Sequence, residues 1–130
     1  MKSFSTRDIA SVERVFAPDG SSVRSLLSLA AGAMACFELD AGKITRAVRH
    51  RTIEEIWFVR SGAGEIWRKH DDLEETTALR AGVCISIPCA THFQFRASQH
   101  SPLSIIGVTM PPWPGEHEAL FVNGAWQASV

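Results

Sequence analysis

GKITRAVRHRTIEEIWFVRSG, residues 42 to 62, is the stretch on which the reading of the whole chain turns. It opens and closes on glycine, and its apolar residues do not recur at the three- and four-residue spacing of an amphipathic helix. Lys43–Arg51 reads as one strand and Glu55–Arg60 as the next. A strand sends alternate side chains to opposite faces, so Arg46, Val48 and His50 share one face, and Glu55 shares parity with Trp57. After Glu55–Arg60 comes Ser61-Gly62-Ala63-Gly64, read as a hairpin turn into Glu65–Lys69 because its glycines are free to take positive φ.

Outward from there the same grammar repeats. Pro18-Asp19-Gly20-Ser21-Ser22 forms a turn before an apolar run, Ser25–Ala31, and Gly32 separates that run from Ala33–Leu39. His70–Glu75 reads as a charged, solvated loop, followed by strands at Thr76–Leu79, Gly82–Pro88, His92–Ala97 and Leu103–Met110. Nine short strands at roughly ten-residue spacing, with no strand–helix–strand alternation, predict an all-β fold with at most one short helix. The expected architecture is an antiparallel double-sheet jelly-roll barrel. Its core runs over about residues 24 to 110, within a single domain spanning 1 to 130. The first stretch, MKSFSTRDIASVERVF, suits a helical turn or an edge strand equally and lacks the apolar core of a secretory signal. In the tail, 111 to 130, the prolines of Pro111-Pro112-Trp113-Pro114 remove the donors a central strand needs. The tail is therefore expected to cross the barrel surface, anchored by Trp113, Phe121 and Trp126.

Composition narrows the class of function. Hydrophobic residues make up 45% and charged residues 21%, and Lys+Arg of 13 against Asp+Glu of 14 gives a net charge of -1. Such a chain has no basic footprint for nucleic acid or an anionic membrane, and neither partner is expected. The longest apolar stretch, Leu26 to Leu39, is interrupted by Ser28, Gly32 and Glu38 and cannot span a bilayer. Cys36, Cys84 and Cys89 have no CxxC spacing, so they read as free thiols of a cytoplasmic protein. Cys89 lies near His92 in sequence, but a nucleophilic thiol needs a base beside it in space, and that role is not assigned. His117 reads as a surface histidine, and His70 and His100 as loop residues.

The two motifs together resemble those of the cupins, whose first motif is G-x5-H-x-H-x3,4-E-x6-G and whose second is G-x5-P-x-G-x2-H-x3-N. Here Gly42 is followed by Val48, His50, Glu55 and Gly62 at the family's intervals, and Gly82 by Pro88 in GVCISIPCATHFQF, residues 82 to 95. In that family three His and one Glu bind a divalent metal inside the barrel. The resemblance therefore implies a site for Fe, Mn, Ni or Zn built on His50 and Glu55. This chain departs from it at the remaining positions. Val48 stands in the first-His column, Phe93 in the third, Ala90 in the glycine column and Ala97 in the Asn column. His92 falls one residue early and by parity points away from the interior, unless a bulge re-aims it as a third ligand. Two ligands fall short of the three a catalytic site normally needs, so no metal is expected to bind tightly.

What remains is a pocket rather than a metal centre. Val48, Trp57, Phe93 and Phe95 are expected to line an apolar cavity, with His50, Glu55 and Arg46 as polar anchors. Arg46 is a candidate partner for Glu55 and for an anionic ligand through a bidentate contact, or else a solvated residue at a strand end. The function expected is a small-molecule-binding barrel with a degenerate metal site. The alternative is a metal-dependent enzyme of isomerase, dioxygenase or decarboxylase type acting on a sugar or small organic acid. A third reading is metal-free acid–base catalysis, with Glu55 taking a proton and His50 orienting it. Open sheet edges invite pairing with a second copy, and small cupins are often dimers, so a homodimer is expected.

Overall fold

The computed structural model describes residues 3–130. Alternating apolar side chains punctuated by glycine and proline give eleven strands, and two 3-10 turns stand beside them. In chain order the strands are β1 (Val15–Phe16), β2 (Ser22–Leu29), β3 (Gly32–Leu39), β4 (Val48–His50), β5 (Glu54–Ser61) and β6 (Ala63–His70). They continue as β7 (Leu73–Arg80), β8 (Cys84–Ile87), β9 (His92–Ala97), β10 (Leu103–Met110) and β11 (Ala119–Phe121). They form two antiparallel sheets: a six-stranded one in the order β1-β2-β3-β10-β5-β8, and a five-stranded one in the order β11-β4-β9-β6-β7. The double-sheet, all-β architecture is as the spacing predicts. No helix among the described residues is long and apolar enough to cross a membrane.

The core lies between the inward faces. Val59, Ile66, Leu79, Leu103 and Ile105 are all essentially inaccessible to solvent. Each such side chain stabilises the fold by about 1.5–3 kcal/mol relative to exposure. Along β5 the inward positions run from Val59 in this packed region through Trp57 to Glu55.

Several local expectations need correction. β5 and β6 do not form a hairpin, because β5 pairs with β8 and β10 while β6 pairs with β7 and β9. Gly62 instead turns a corner between sheets at φ 86, passing so close to Pro102 that an added Cβ would sit 1.8 Å from its carbonyl oxygen. Positive φ serves a corner as well as a hairpin, and glycine alone does not distinguish them. The segment 43–51 is not one strand. Only Val48–His50 pairs continuously, and Ile44 makes an isolated bridge to Arg96. Between them the Thr45 amide donates to the Phe95 carbonyl (3.0 Å), while the Thr45 hydroxyl donates to the same carbonyl (3.0 Å) and accepts from the Phe95 amide (3.1 Å), so side-chain bonds supplement a broken ladder. The supposed charged loop at 70–75 is mostly strand. Its acidic residues pair across the ladder, Glu74 with the Trp67 indole (2.8 Å) and Glu75 with Arg68 (2.8 Å).

The amino-terminal segment contributes a 3-10 turn, Ile9–Ser11, and the short edge strand β1. The tail contributes β11, paired with β4. Beyond β11 the buried Gln94 clamps the chain, accepting from the Trp126 amide (2.9 Å) and donating to its carbonyl (2.9 Å). Arg96 stacks 4.0 Å over the Trp126 ring. Phe121 is no anchor: its ring is 62% exposed.

Candidate functional site

Short strands and a bend bring the polar residues together. β4 sends Val48 and His50 inward, β5 sends Glu55 and Trp57 inward, and β9 faces them with Phe93 and Phe95. Val48 is the direct cross-strand partner of Phe93. All six border one cavity of about 860 Å³. Its walls are aromatic, with Trp57 meeting Phe93 and Phe95 edge to face at 5.9 and 5.1 Å.

At the floor of this cavity sits an imidazole–carboxylate pair. His50 Nδ1 lies 2.9 Å from Glu55 Oε2, while Glu55 Oε1 accepts from the Trp57 indole at 3.0 Å. His50 is 7% exposed and Glu55 3%, so a carboxylate and an imidazole share a largely apolar enclosure. The contact is close but not collinear, and Nδ1 has no well-aligned hydrogen bond. Nε2, the other ring nitrogen, has no protein partner among the described residues. Phe93 and Trp113 hold the ring from two sides, each with its centroid 5.2 Å away.

Three residues join the site that the sequence reading placed elsewhere. Asp19, read as a turn former, lines the cavity because the carbonyl of its residue accepts from the Arg46 amide at 2.9 Å. Burial pushes its carboxyl above the usual carboxylate range, and the negative charge of Glu55 acts the same way. Bonds from the Ser21 hydroxyl (2.7 Å) and amide (2.9 Å) act against both. Thr109 stands beside Glu55 on β10, its hydroxyl buried without a partner. Trp113, expected as a surface anchor, packs on His50 instead. Only the parity of β10 could have signalled Thr109, and no local pattern marks Asp19.

Two expected site residues lie outside. Arg46 falls in the irregular segment before β4, so strand parity does not govern it. Its Nε donates to the Val130 carbonyl at 3.2 Å and its guanidinium carbon lies 5.6 Å from the Phe121 ring centroid. His92 pairs with Lys69 in the β6–β9 ladder and borders a separate cleft with Lys69, His70, Asp71 and Ala90. Desolvation lowers its pKa from 6.5, and the nearby positive charges of Arg49, Lys69 and His70 act in the same direction. No bulge re-aims it, so His50, Glu55 and His92 do not converge. Among the described residues no group of three His, Cys, Asp or Glu is arranged to hold a metal ion. The donor set does not fit one, since Val48 and Phe93 occupy the missing ligand positions with hydrocarbon. Cys89 Sγ reaches the Arg51 carbonyl (3.4 Å) and Cys36 Sγ the Ser104 hydroxyl (3.4 Å), and all three cysteines are free.

The tail closes one side of the site through Glu118, which is buried and accepts from both the amide and the hydroxyl of Thr52. This holds the turn between β4 and β5 and thereby the positions of His50 and Glu55.

No protein-family model matches the sequence, and no curated protein matches it. Solved structures do. KdgF from Halomonas sp. superposes with a TM-score of 0.74 at 17% identity, over 86% of this chain and 97% of its own. Pac13 of Streptomyces, a nucleoside dehydratase, gives 0.73 at 14% identity over 92% of each chain. A predicted oxalate decarboxylase of Thermotoga maritima gives 0.67 at 17% identity, over 82% of this chain and 98% of its own. The fold is that of a small cupin domain.

Proposed function

We propose that this chain binds a small, neutral, hydrogen-bond-donating organic molecule in the barrel cavity without a metal ion, with His50 and Glu55 as its acid–base pair. The observation that carries this reading is the 2.9 Å approach of His50 Nδ1 to Glu55 Oε2 in a cavity whose other ligand positions are Val48 and Phe93. A metal-dependent isomerase, dioxygenase or decarboxylase needs at least one more donor than these residues supply.

The charges on the wall favour the ligand class. Asp19, Glu55 and Glu116 border the cavity, and Arg7 is the one Lys or Arg among the described lining residues. Arg7 is already engaged, with Nη1 donating to the Ser25 carbonyl at 3.3 Å. An anion meets three carboxylates there. A sugar or nucleoside offers hydroxyls to the same oxygens and an apolar face to Trp57, Phe93 and Trp113. That Pac13 is solved with uridine supports the capacity of this architecture for such a molecule.

The division of labour comes from the pair. His50 Nε2 is the ring atom left to meet a ligand. When it accepts a proton, the Glu55 carboxylate at Nδ1 stabilises the resulting imidazolium. Trp57 holds Glu55 in place through Oε1. A positioned base of this kind typically contributes about 10²–10⁴-fold to a proton-transfer step.

Thermal-shift titration with uridine and a neutral hexose, set against oxalate, tests the ligand class. Calorimetry with Mn²⁺ and Ni²⁺ tests the metal. Uridine or the hexose should raise the melting temperature, His50→Ala should remove the effect, and neither metal should give saturable heat. Stabilisation by oxalate alone, or stoichiometric metal binding lost in His50→Ala, overturns the reading.

A further inference from the structure

The outward face of the six-stranded sheet has the composition of an interior. One cross-strand row runs Leu27, Met34, Val108, Ile56. The next runs Ile106, Phe58, Cys84, with Cys36 on the far side of Ile106 fully buried. The seven other side chains span five neighbouring strands and make one continuous patch, whose Leu27 and Met34 also border the cavity. Ile56 is 54% exposed, Phe58 47%, Met34 42% and Leu27 38%. Single exposed apolar residues are ordinary, but contiguous patches of this kind mark an interaction surface.

The edges, by contrast, are guarded. β1, β11 and β8 are only two, three and four residues long. β7, the one long edge strand, carries Glu74, Glu75 and Arg80, and short or charged edges resist strand addition. The sticky surface is therefore a face and not an edge, which differs from the edge pairing that small barrels suggest.

The charges at the ends of the patch identify its occupant. The outward positions of β5 read Glu54, Ile56, Phe58, Arg60, with opposite charges capping an apolar pair. We propose that this face is a homodimer interface. Its two-fold axis lies in the interface plane and crosses the strands between Ile56 and Phe58. That operation lays β5 antiparallel over its copy, so that Glu54 of one protomer meets Arg60 of the other and Ile56 meets Phe58. A two-fold axis parallel to the strands would put Glu54 on Glu54 and Arg60 on Arg60, and like-charge juxtaposition of this kind is strongly disfavoured. The proposal does not depend on which ligand the cavity binds: Ile56, Phe58, Glu54 and Arg60 lie outside the cavity lining, and of the patch only Leu27 and Met34 belong to it.

Light scattering and sedimentation of the full chain at micromolar concentration test it. The expected mass is twice the 14.3 kDa of one chain. Phe58→Glu and Ile56→Lys should each give the monomer mass with an unchanged circular dichroism spectrum; both side chains are half-exposed, so the barrel survives their loss. Glu54→Arg alone and Arg60→Glu alone should each weaken the dimer, and the two together should restore it. A monomeric wild type overturns the proposal, as does a dimer that persists in Phe58→Glu. Failure of the charge-swapped pair to recover overturns the orientation of the axis.

Discussion

The two ends of the barrel are built from the same strands and follow opposite rules. Around Gly62 the inward side chains are Val59, Leu103 and their neighbours, every one buried, and the backbone passes within contact of Pro102. Around Glu55 the same strands carry a carboxylate and an orphaned hydroxyl around open space, and β4 adds the His50 imidazole. One end has apolar side chains and no room; the other sets a few polar groups among aromatic walls and has room for a ligand. The packed end supplies the stability that lets the open end retain groups costly to bury.

The largest effect should come from breaking the packed end. Gly62→Ala puts a methyl group where the Pro102 carbonyl stands, at a φ of 86 that L-residues avoid. A loss of roughly 3–5 kcal/mol in denaturant unfolding is expected. Gly82→Ala is the internal control: φ is 94 but nothing lies within 4 Å of the added carbon. That change should cost only about 1–2 kcal/mol, the penalty of the left-handed backbone alone. Equal losses for the two would mean that close packing at Gly62 contributes little.

At the open end, the missing donors can be restored. Val48→His with Phe93→His should create saturable Ni²⁺ or Mn²⁺ binding, because both positions face the cavity beside His50. Calorimetry should show an affinity orders of magnitude above that of the unmodified chain, at a stability cost of about 1–3 kcal/mol per buried polar group. If no binding appears in a folded double variant, the His50–Glu55 pair is locked in a geometry that excludes a metal.

The two ends also differed in how far the sequence revealed them. The packed end is set by alternation, which is local: Val59, Leu103 and Ile105 fall on inward positions that parity identifies. His50, Glu55 and Trp57 were legible for the same reason, as they lie on regular strands. Parity also turned His92 outward. Arg46 was misplaced because parity has no force in the irregular segment stitched by Thr45. Asp19 and Trp113 were invisible as site residues because they reach the cavity from a turn and from the proline-rich tail. Their positions depend on contacts across dozens of residues, such as the Asp19 carbonyl on the Arg46 amide.

A smaller change probes the pair itself. Glu55→Gln keeps the shape and can still accept from the Trp57 indole, so the fold should survive. What it loses is the charge that supports a protonated His50. Charge-assisted hydrogen bonds are worth about 1.5–3 kcal/mol, so affinity for a uridine-like ligand should fall roughly tenfold to a hundredfold in thermal-shift titration. Unchanged affinity would move recognition away from the pair and toward the aromatic walls.

The smallest effect concerns Asp19, and its sign separates the two descriptions of the open end. Desolvation raises its carboxyl above the ordinary 3.8, so the folded chain holds this proton more tightly than the unfolded chain does. That preference favours folding in full below the unfolded value and is lost as the pH rises through the folded one. At neutral pH the group is therefore a burial penalty, only partly offset by the two hydrogen bonds from Ser21. Asn keeps an oxygen for those bonds and carries no charge at any pH. The melting temperature of Asp19→Asn, relative to the unmodified chain, should thus be more favourable at about pH 7 than at about pH 4. Part of that trend should disappear in a Glu55→Gln background, since the charge of Glu55 is one of the forces raising the Asp19 value. A trend of opposite sign would mean that the Ser21 bonds outweigh desolvation. The open end would then be a wet, well-solvated mouth rather than the low-dielectric cavity in which a paired His50 and Glu55 can move a proton.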